Sequence, residues 1–359
     1  MSRARRLVFA GILAPFAYLG LWPVDADPEA WQPPAAPALE GPYAPNQGLA
    51  GHTLLHPEYH GAEAVTFDAE GRIVTGLLDG RIVRFAADGE GPGETLVDTG
   101  GRPLGLRYDA AGRLIVADAH RGLLVVDGDR VLVLADAHDG KPIRFADDLA
   151  IAADGTIYFS DASYLRSVEE WRVEVIEHRP NGRLLAYHPE RRATTLVLGD
   201  LYFANGVALG PGDASVVVTE LASYRVRRVW LAGARKGEVD TLVDNLPGFP
   251  DNITWSPERG AYWIAIGSPR NPLVDSLAGS PGLRKAVLRL PQALQPAPEK
   301  HAWAIAVDES GAVVASPQLR DPAAYSPVSS VLERDGFLYI GSFAGDGVAR
   351  VAAPPRPGA

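Results

Sequence analysis

From about residue 51 the chain is a succession of short runs in which β-branched and aromatic residues alternate with polar ones, each run opened by a turn rich in Asp and Gly. Asp68 to Gly71 precedes RIVTGLL, Asp109 to Gly112 precedes RLIVADA, and Asp154-Gly155 precedes TIYFSDA. Gly212-Asp213 precedes ASVVVTE, Pro257 to Gly260 precedes AYWIAIG, Asp308 to Gly311 precedes AVVAS, and Asp335-Gly336 precedes FLYIGSF. Tight turns of this kind join antiparallel strands, and period-two alternation marks strands with a buried face. Six such turns recur every 41 to 57 residues, the spacing of propeller blades of about four strands each. The expected fold is all-β, a six-bladed β-propeller whose last blade is completed by the FLYIGSF hairpin. An array of β-sandwiches would need linkers between repeats, and none is visible.

Outside the repeats the pattern changes. Leu7 to Trp22 is an apolar run behind Arg3, Arg5 and Arg6, the pattern of a secretory signal or an N-terminal signal-anchor helix. Residues 1–25 are therefore expected to direct export and either be cleaved or hold the protein at a membrane, with a membrane-anchored or periplasmic (extracytoplasmic) domain beyond. Residues 26–50 are dense in Pro and Ala and read as a linker or a strap on the domain surface. The propeller is placed at 51–353 and an unstructured tail at 354–359. Two segments interrupt the repeats, Ser163–Pro180 and the basic, helix-spaced Asn271–Glu299; both are expected as insertions on one rim.

Composition narrows the function. Of 359 residues 47% are hydrophobic, enough for a large core, and the net charge of −10 excludes a nucleic-acid binder, which needs excess cations to replace phosphate counterions. No cysteine is present, so disulfides, thiol catalysis and Cys-ligated metals are excluded. No Gly-x-Ser-x-Gly elbow occurs, which argues against a serine hydrolase.

The candidate chemistry lies in four phrases, one per repeat: Glu63 in GAEAVTFD, Asp147-Asp148 in RFADDLAI, Asn205 in YFANGVAL and Asp251-Asn252 in GFPDNITW. Singly, each is an ordinary turn residue. At equivalent positions of successive blades they would converge on the propeller axis, since the inner strand of each blade lines the channel. Carboxylates and carboxamides meeting there form an all-oxygen site suited to Ca²⁺, and without a cation they would repel or hold protons.

The phrases GRPLGLR (101–107), LIVADAHRGLLVV (114–126), IYFSDAS (157–163), NGRLLAYHP (181–189), FANGVAL (203–209), LPGFPDNI (246–253) and DGFLYIGSF (335–343) resemble the strictosidine synthase-like family over nearly the whole chain. The resemblance implies a six-bladed propeller. Relatives in the wider superfamily, paraoxonase, gluconolactonase and regucalcin, hold a catalytic Ca²⁺ in the channel and hydrolyse lactones or esters. It implies the metal ligands Glu63, Asp147, Asn205, Asp251 and Asn252. Asp147 stands where relatives usually have Asn, which adds a negative charge. The glutamate of true strictosidine synthase is replaced by Ser329, which speaks against amine–aldehyde condensation.

The implied activity is Ca²⁺-dependent hydrolysis of a small-molecule ester or lactone, with the cation polarising the carbonyl. Candidates for the proton-transfer role are Asp251 first, then Asp148 and His120. His52, His56 and His60 lie before the first repeat, within reach of the channel mouth. A non-catalytic, membrane-anchored binding platform with a structural Ca²⁺ is the alternative, and the sequence leaves the oligomeric state open.

Overall fold

The Asp-x-x-Gly phrases close hairpins for a local reason. Asp68 Oδ1 accepts the backbone N–H groups of Glu70 (3.1 Å) and Arg72 (2.8 Å), and Asp109 Oδ1 does the same for Ala111 and Arg113. Gly71 and Gly112 then take φ +78°, a left-handed conformation that a Cβ would strain. In a computed structural model, which describes residues 18–356, these turns join the first two strands of successive four-stranded antiparallel sheets.

Six sheets form the propeller. Blades 1 to 4 run from Val65 to Asp98, Pro103 to Ala135, Ala146 to Leu201, and Ala204 to Val243. Blade 5 runs from Gly248 to Ala315, and blade 6 takes Ser330–Arg334, Phe337–Gly341 and Asp346–Ala352. The outermost strand of blade 6 is Thr53–His60, paired antiparallel with Asp346–Ala352 through Leu54 opposite Ala349. The ring is thus closed by hydrogen bonds between the two ends of the domain. This corrects two expectations. The Asp308–Gly311 turn belongs to the outer hairpin of blade 5, and Asp335-Gly336 opens the sixth blade, because the same turn chemistry serves any tight hairpin. His52, His56 and His60 stay away from the channel mouth. His56 and His60 sit in the outermost strand, beside Glu58 (2.8 Å) and Asp346 (2.5 Å), while His52 precedes it near the Leu49 carbonyl.

Six apolar clusters fill the gaps between neighbouring blades. Val74 and Ile82 of blade 1, for example, pack on Leu106 and Leu114 of blade 2. Interior strands are covered on both faces, so they read as nearly continuous apolar runs. A seventh cluster, including Leu104, Phe145 and Phe203, rings one end of the channel.

Both sequence insertions lie at that end. The first carries the helix Trp171–Glu177, the second the helices Pro272–Leu277 and Pro281–Leu288. The Pro/Ala-rich segment binds them as a strap. Trp31 stacks on His178 at 3.8 Å, Arg284 and Arg270 donate to the carbonyls of Glu29 and Pro34, and Asp27 N–H donates to Glu177. The expected signal-anchor run falls largely at residues 1–17, outside the described residues; residues 18–21 are helical. No helix among the described residues is long and apolar enough to cross a membrane.

Candidate metal centre

The innermost strands of blades 2 to 5 carry the same irregularity. Ala146 and Leu149, three residues apart, face Asp161 and Phe159, two apart; Ala204/Val207, Pro250/Ile253 and Pro103/Leu106 repeat this against their partners. Each is a one-residue bulge, a device that re-aims side chains beside functional sites. The bulged pairs are Asp147-Asp148, Asn205-Gly206, Asp251-Asn252 and Leu104-Gly105. Close packing between blades demands glycine at two of them. A Cβ on Gly105 would lie 2.7 Å from Asp148 Cα, and one on Gly206 would lie 2.5 Å from Asn252 Cα.

The result is a buried acidic cluster on the axis. Oxygens of Glu63, Asp147 and Asp251, from blades 1, 3 and 5, lie within 4.8 Å of one another, and the residues are 4%, 1% and 5% exposed. Asn205 of blade 4 donates from Nδ2 to Asp147 Oδ2 at 3.2 Å. Glu63 Oε2, Asp147 Oδ1 and Asn205 Oδ1 are buried without a hydrogen-bond partner, as are both polar atoms of the Asn252 side chain. Arg102 is the counter-charge, 3.7 Å from Glu63 Oε2 and tied by Nη1 to the Gly61 carbonyl at 3.1 Å.

Electrostatics follow from this crowding. Burial, opposed by Arg102 and reinforced by Asp148, pushes the Glu63 carboxyl up to about 7. Burial and then the charges of Glu63 and Asp251 hold Asp147 well above the usual carboxylate range. Asp251 is raised likewise by burial and then Glu63, with the nearby Asn205 amide pulling the other way. Unpartnered buried oxygens and protonated carboxyls are what an all-oxygen cation site shows in its metal-free form. Every donor is oxygen and none is sulfur or imidazole, a set that fits Ca²⁺.

The remaining candidates fall in different places. Asp148 is turned between blades: its Oδ2 accepts the Val207 N–H at 3.0 Å and its Oδ1 faces Arg107 at 3.9 Å. It joins blade 3 to blade 4 rather than lining the cavity above the cluster. His120 stands at the cavity wall, its side chain 42% exposed, with Nε2 2.7 Å from Glu169 Oε1. Ser329 is fully buried at the start of blade 6, its carbonyl accepting the Asn252 N–H at 3.0 Å.

Glu63, Asp147, Asn205 and Asp251 form the floor of a cavity of about 420 Å³. Its walls include Phe145, Phe203 and Phe249, each two residues before a floor residue, and its roof is made by Val175, Val274 and Val287 of the three inserted helices. Sequence reasoning missed Arg102 and these rings. The signal for the rings was the recurrence of Phe-x-Asp or Phe-x-Asn in three repeats, but Phe145 and Phe203 precede their strands and Phe203 has φ +60°, so strand periodicity does not predict which way they face.

A family model described as "Strictosidine synthase" matches residues 147–234, and one described as "Strictosidine synthase-like, N-terminal" matches residues 41–85. Adipocyte plasma membrane-associated protein of Rattus norvegicus is 34% identical over 349 residues, 91% of this chain and 92% of the relative. Strictosidine synthase-like 6 of Arabidopsis thaliana is 33% identical over 76% of this chain and 73% of its own. Among solved structures, a gluconolactonase of Xanthomonas campestris superposes with a TM-score of 0.60 at 18% identity, covering 93% of this chain and 99% of that one. The calcium-binding protein regucalcin of Agrobacterium tumefaciens superposes with a TM-score of 0.57 at 13% identity, covering 84% and 93%. These two share the fold.

Proposed function

The chain belongs to the strictosidine synthase-like family, and from that premise we propose that it is a Ca²⁺-dependent hydrolase of esters or lactones. The observation that carries this reading is the position of Glu63, Asp147 and Asp251, which face one another and also form the floor of a cavity. A site built only to pin blades would be closed off by protein ligands, whereas an open face leaves room for a substrate carbonyl. Glu63, Asp147, Asn205 and Asp251 would hold the cation, with Asn252 supplying a further oxygen from beside them. When bound, Ca²⁺ supplies a Lewis acid that polarises the carbonyl and stabilises the oxyanion.

The chain's own residues do the rest. Phe145, Phe203 and the inserted helices keep bulk water from the acyl carbon. Asp251 takes the proton of the attacking water and returns it to the departing alkoxide, so the proton balance closes on one carboxylate. Asp148 holds the bulge of blade 3 against blade 4 and so positions Asp147. His120, paired with Glu169, is the second candidate for proton transfer. Condensing chemistry is disfavoured, because a serine hydroxyl stands at position 329. Export to a membrane or extracytoplasmic location is supported by the arginine-led apolar N-terminus and by relatives named as plasma membrane-associated.

Phenyl acetate and a lactone panel, assayed with and without Ca²⁺ beside Asp251→Ala, test the reading. Calcium-dependent turnover that Asp251→Ala abolishes is expected. A rise in Tm with Ca²⁺ and no turnover of any ester or lactone would sink the hydrolase and leave a calcium-pinned binding platform.

A further inference from the structure

Resting on the hydrolase reading, we propose that this site takes apolar substrates, esters or lactones bearing an alkyl or aryl group, and rejects polyhydroxylated lactones of the gluconolactone kind.

The first ground is the recurrence of phenylalanine before the axial residues. In blades 3, 4 and 5 the residue two before the axial residue is Phe145, Phe203 or Phe249, and three consecutive blades each contribute an aromatic ring and an oxygen-bearing floor residue to one cavity. All three rings line the cavity. A carbonyl placed at the acidic floor therefore leaves the rest of its molecule among rings, with the valines and leucines of the inserted helices above.

The second ground is that the polar side chains higher in the cavity are mostly tied to the protein through at least one atom each, which fixes their direction. Ser268 Oγ donates to the Pro269 carbonyl and accepts the Glu299 N–H. Gln295 Nε2 donates to the Leu288 and Leu290 carbonyls, and Asn271 Oδ1 caps the helix Pro272–Leu277 through the N–H groups of Leu273 and Val274. Arg284 donates to the carbonyls of Glu29 and Ala278, and His120 pairs with Glu169. Arg172 is the exception; its guanidinium lies over the Trp171 ring, and its Nε is buried without a partner. Among the described residues few lining groups are left to meet the several hydroxyls of a sugar lactone, each of which gives up its water on entry.

The third ground is size. The cavity of about 420 Å³ lies within the roughly 300–1,000 Å³ range of small-molecule sites, room for an acyl or aryl group.

The test uses the full chain with Ca²⁺ and two series, p-nitrophenyl esters from acetate to decanoate, and δ-decalactone beside δ-gluconolactone. Each added methylene is expected to raise kcat/KM by up to about fourfold until the cavity is full, and gluconolactone is expected to fall at least about a hundredfold below decalactone. Val175→Asn and Val274→Asn, on half-buried roof helices and checked for unchanged Tm, are expected to lower the decanoate-to-acetate ratio of kcat/KM by about tenfold. Calcium-dependent acetate turnover with a flat series, or gluconolactone equal to decalactone, overturns the apolar assignment and leaves the hydrolase standing. No turnover of any ester overturns the hydrolase. The assignment of the cavity is then decided by thermal shift without Ca²⁺, using N-phenyldecanamide against gluconamide: a shift with the former alone upholds it, and any other result overturns it.

Discussion

Asn205 of blade 4 reaches Asp147 of blade 3 through Nδ2, 3.2 Å from Oδ2, and this contact determines which end of the amide remains available. With Nδ2 engaged, Oδ1 is left buried and without a protein partner, the oxygen that the proposed cation site would use. Asn205→Asp keeps an oxygen but loses the donor and adds a fourth carboxylate. It is expected to lower the Tm of the metal-free protein and to make that Tm depend more strongly on Ca²⁺, as differential scanning calorimetry with and without chelator would record.

Removing a ligand from the floor should act on affinity before it acts on fold. Asp251→Asn is expected to weaken Ca²⁺ binding at least about tenfold while raising metal-free stability, because it relieves the repulsion that Glu63 imposes on Asp251. Isothermal titration with Ca²⁺ checks the first effect and thermal melting in chelator the second. A drop in metal-free Tm would show that Asp251 is held chiefly by protein contacts.

The cluster sets the pH dependence of the metal-free protein. Glu63, near 7 in the fold against an ordinary value of 4.5, binds a proton more tightly folded than unfolded, and Asp147 and Asp251 are shifted the same way. Their contribution is present at low pH and is lost as pH rises through neutrality. Metal-free Tm is expected to fall between about pH 4.5 and 7, with saturating Ca²⁺ removing most of the slope. A metal-free Tm that rises over that range contradicts the assignment.

Arg102 is the buried counter-charge of Glu63 and also bonds the Gly61 and Phe343 carbonyls. Arg102→Met removes one partner of a buried pair, a change that typically costs about 3–5 kcal/mol. The loss should be smaller in the Ca²⁺-loaded protein, where the cation replaces the missing charge beside Glu63. Urea denaturation in both states measures the difference.

The strap holds the roof through Trp31, stacked on His178, which in turn stacks on Tyr202 at 4.4 Å. Burial, and after it the charges of Arg284 and Arg225, keep His178 neutral, down at about 3, so the stack should not respond to pH in the working range. Trp31→Ala is expected to cost up to about 3 kcal/mol and to speed limited proteolysis within residues 271–299, while Ca²⁺ affinity holds. Equal cleavage rates in variant and parent would show that the strap does not restrain the roof.

By itself the sequence determined the blades and the oxygen-bearing residues of the axial cluster. Asp68, Asp109 and the glycines that follow them specify hairpins through hydrogen bonds reaching only a few residues, and alternating apolar runs specify strands. Glu63, Asp147, Asn205 and Asp251, recurring at one place in four of the six repeats, marked the axis. Only the tertiary structure decided that Asp147 faces the cavity while its neighbour Asp148 turns to Val207, because a one-residue bulge, invisible in residue types, sets the direction of each. It also decided that Arg102 offsets Glu63, that the strap and three helices roof the floor, and that Thr53–His60 rather than a local hairpin closes the ring. These are contacts between segments tens to hundreds of residues apart, and their partners are chosen by closure of the ring rather than by local propensity.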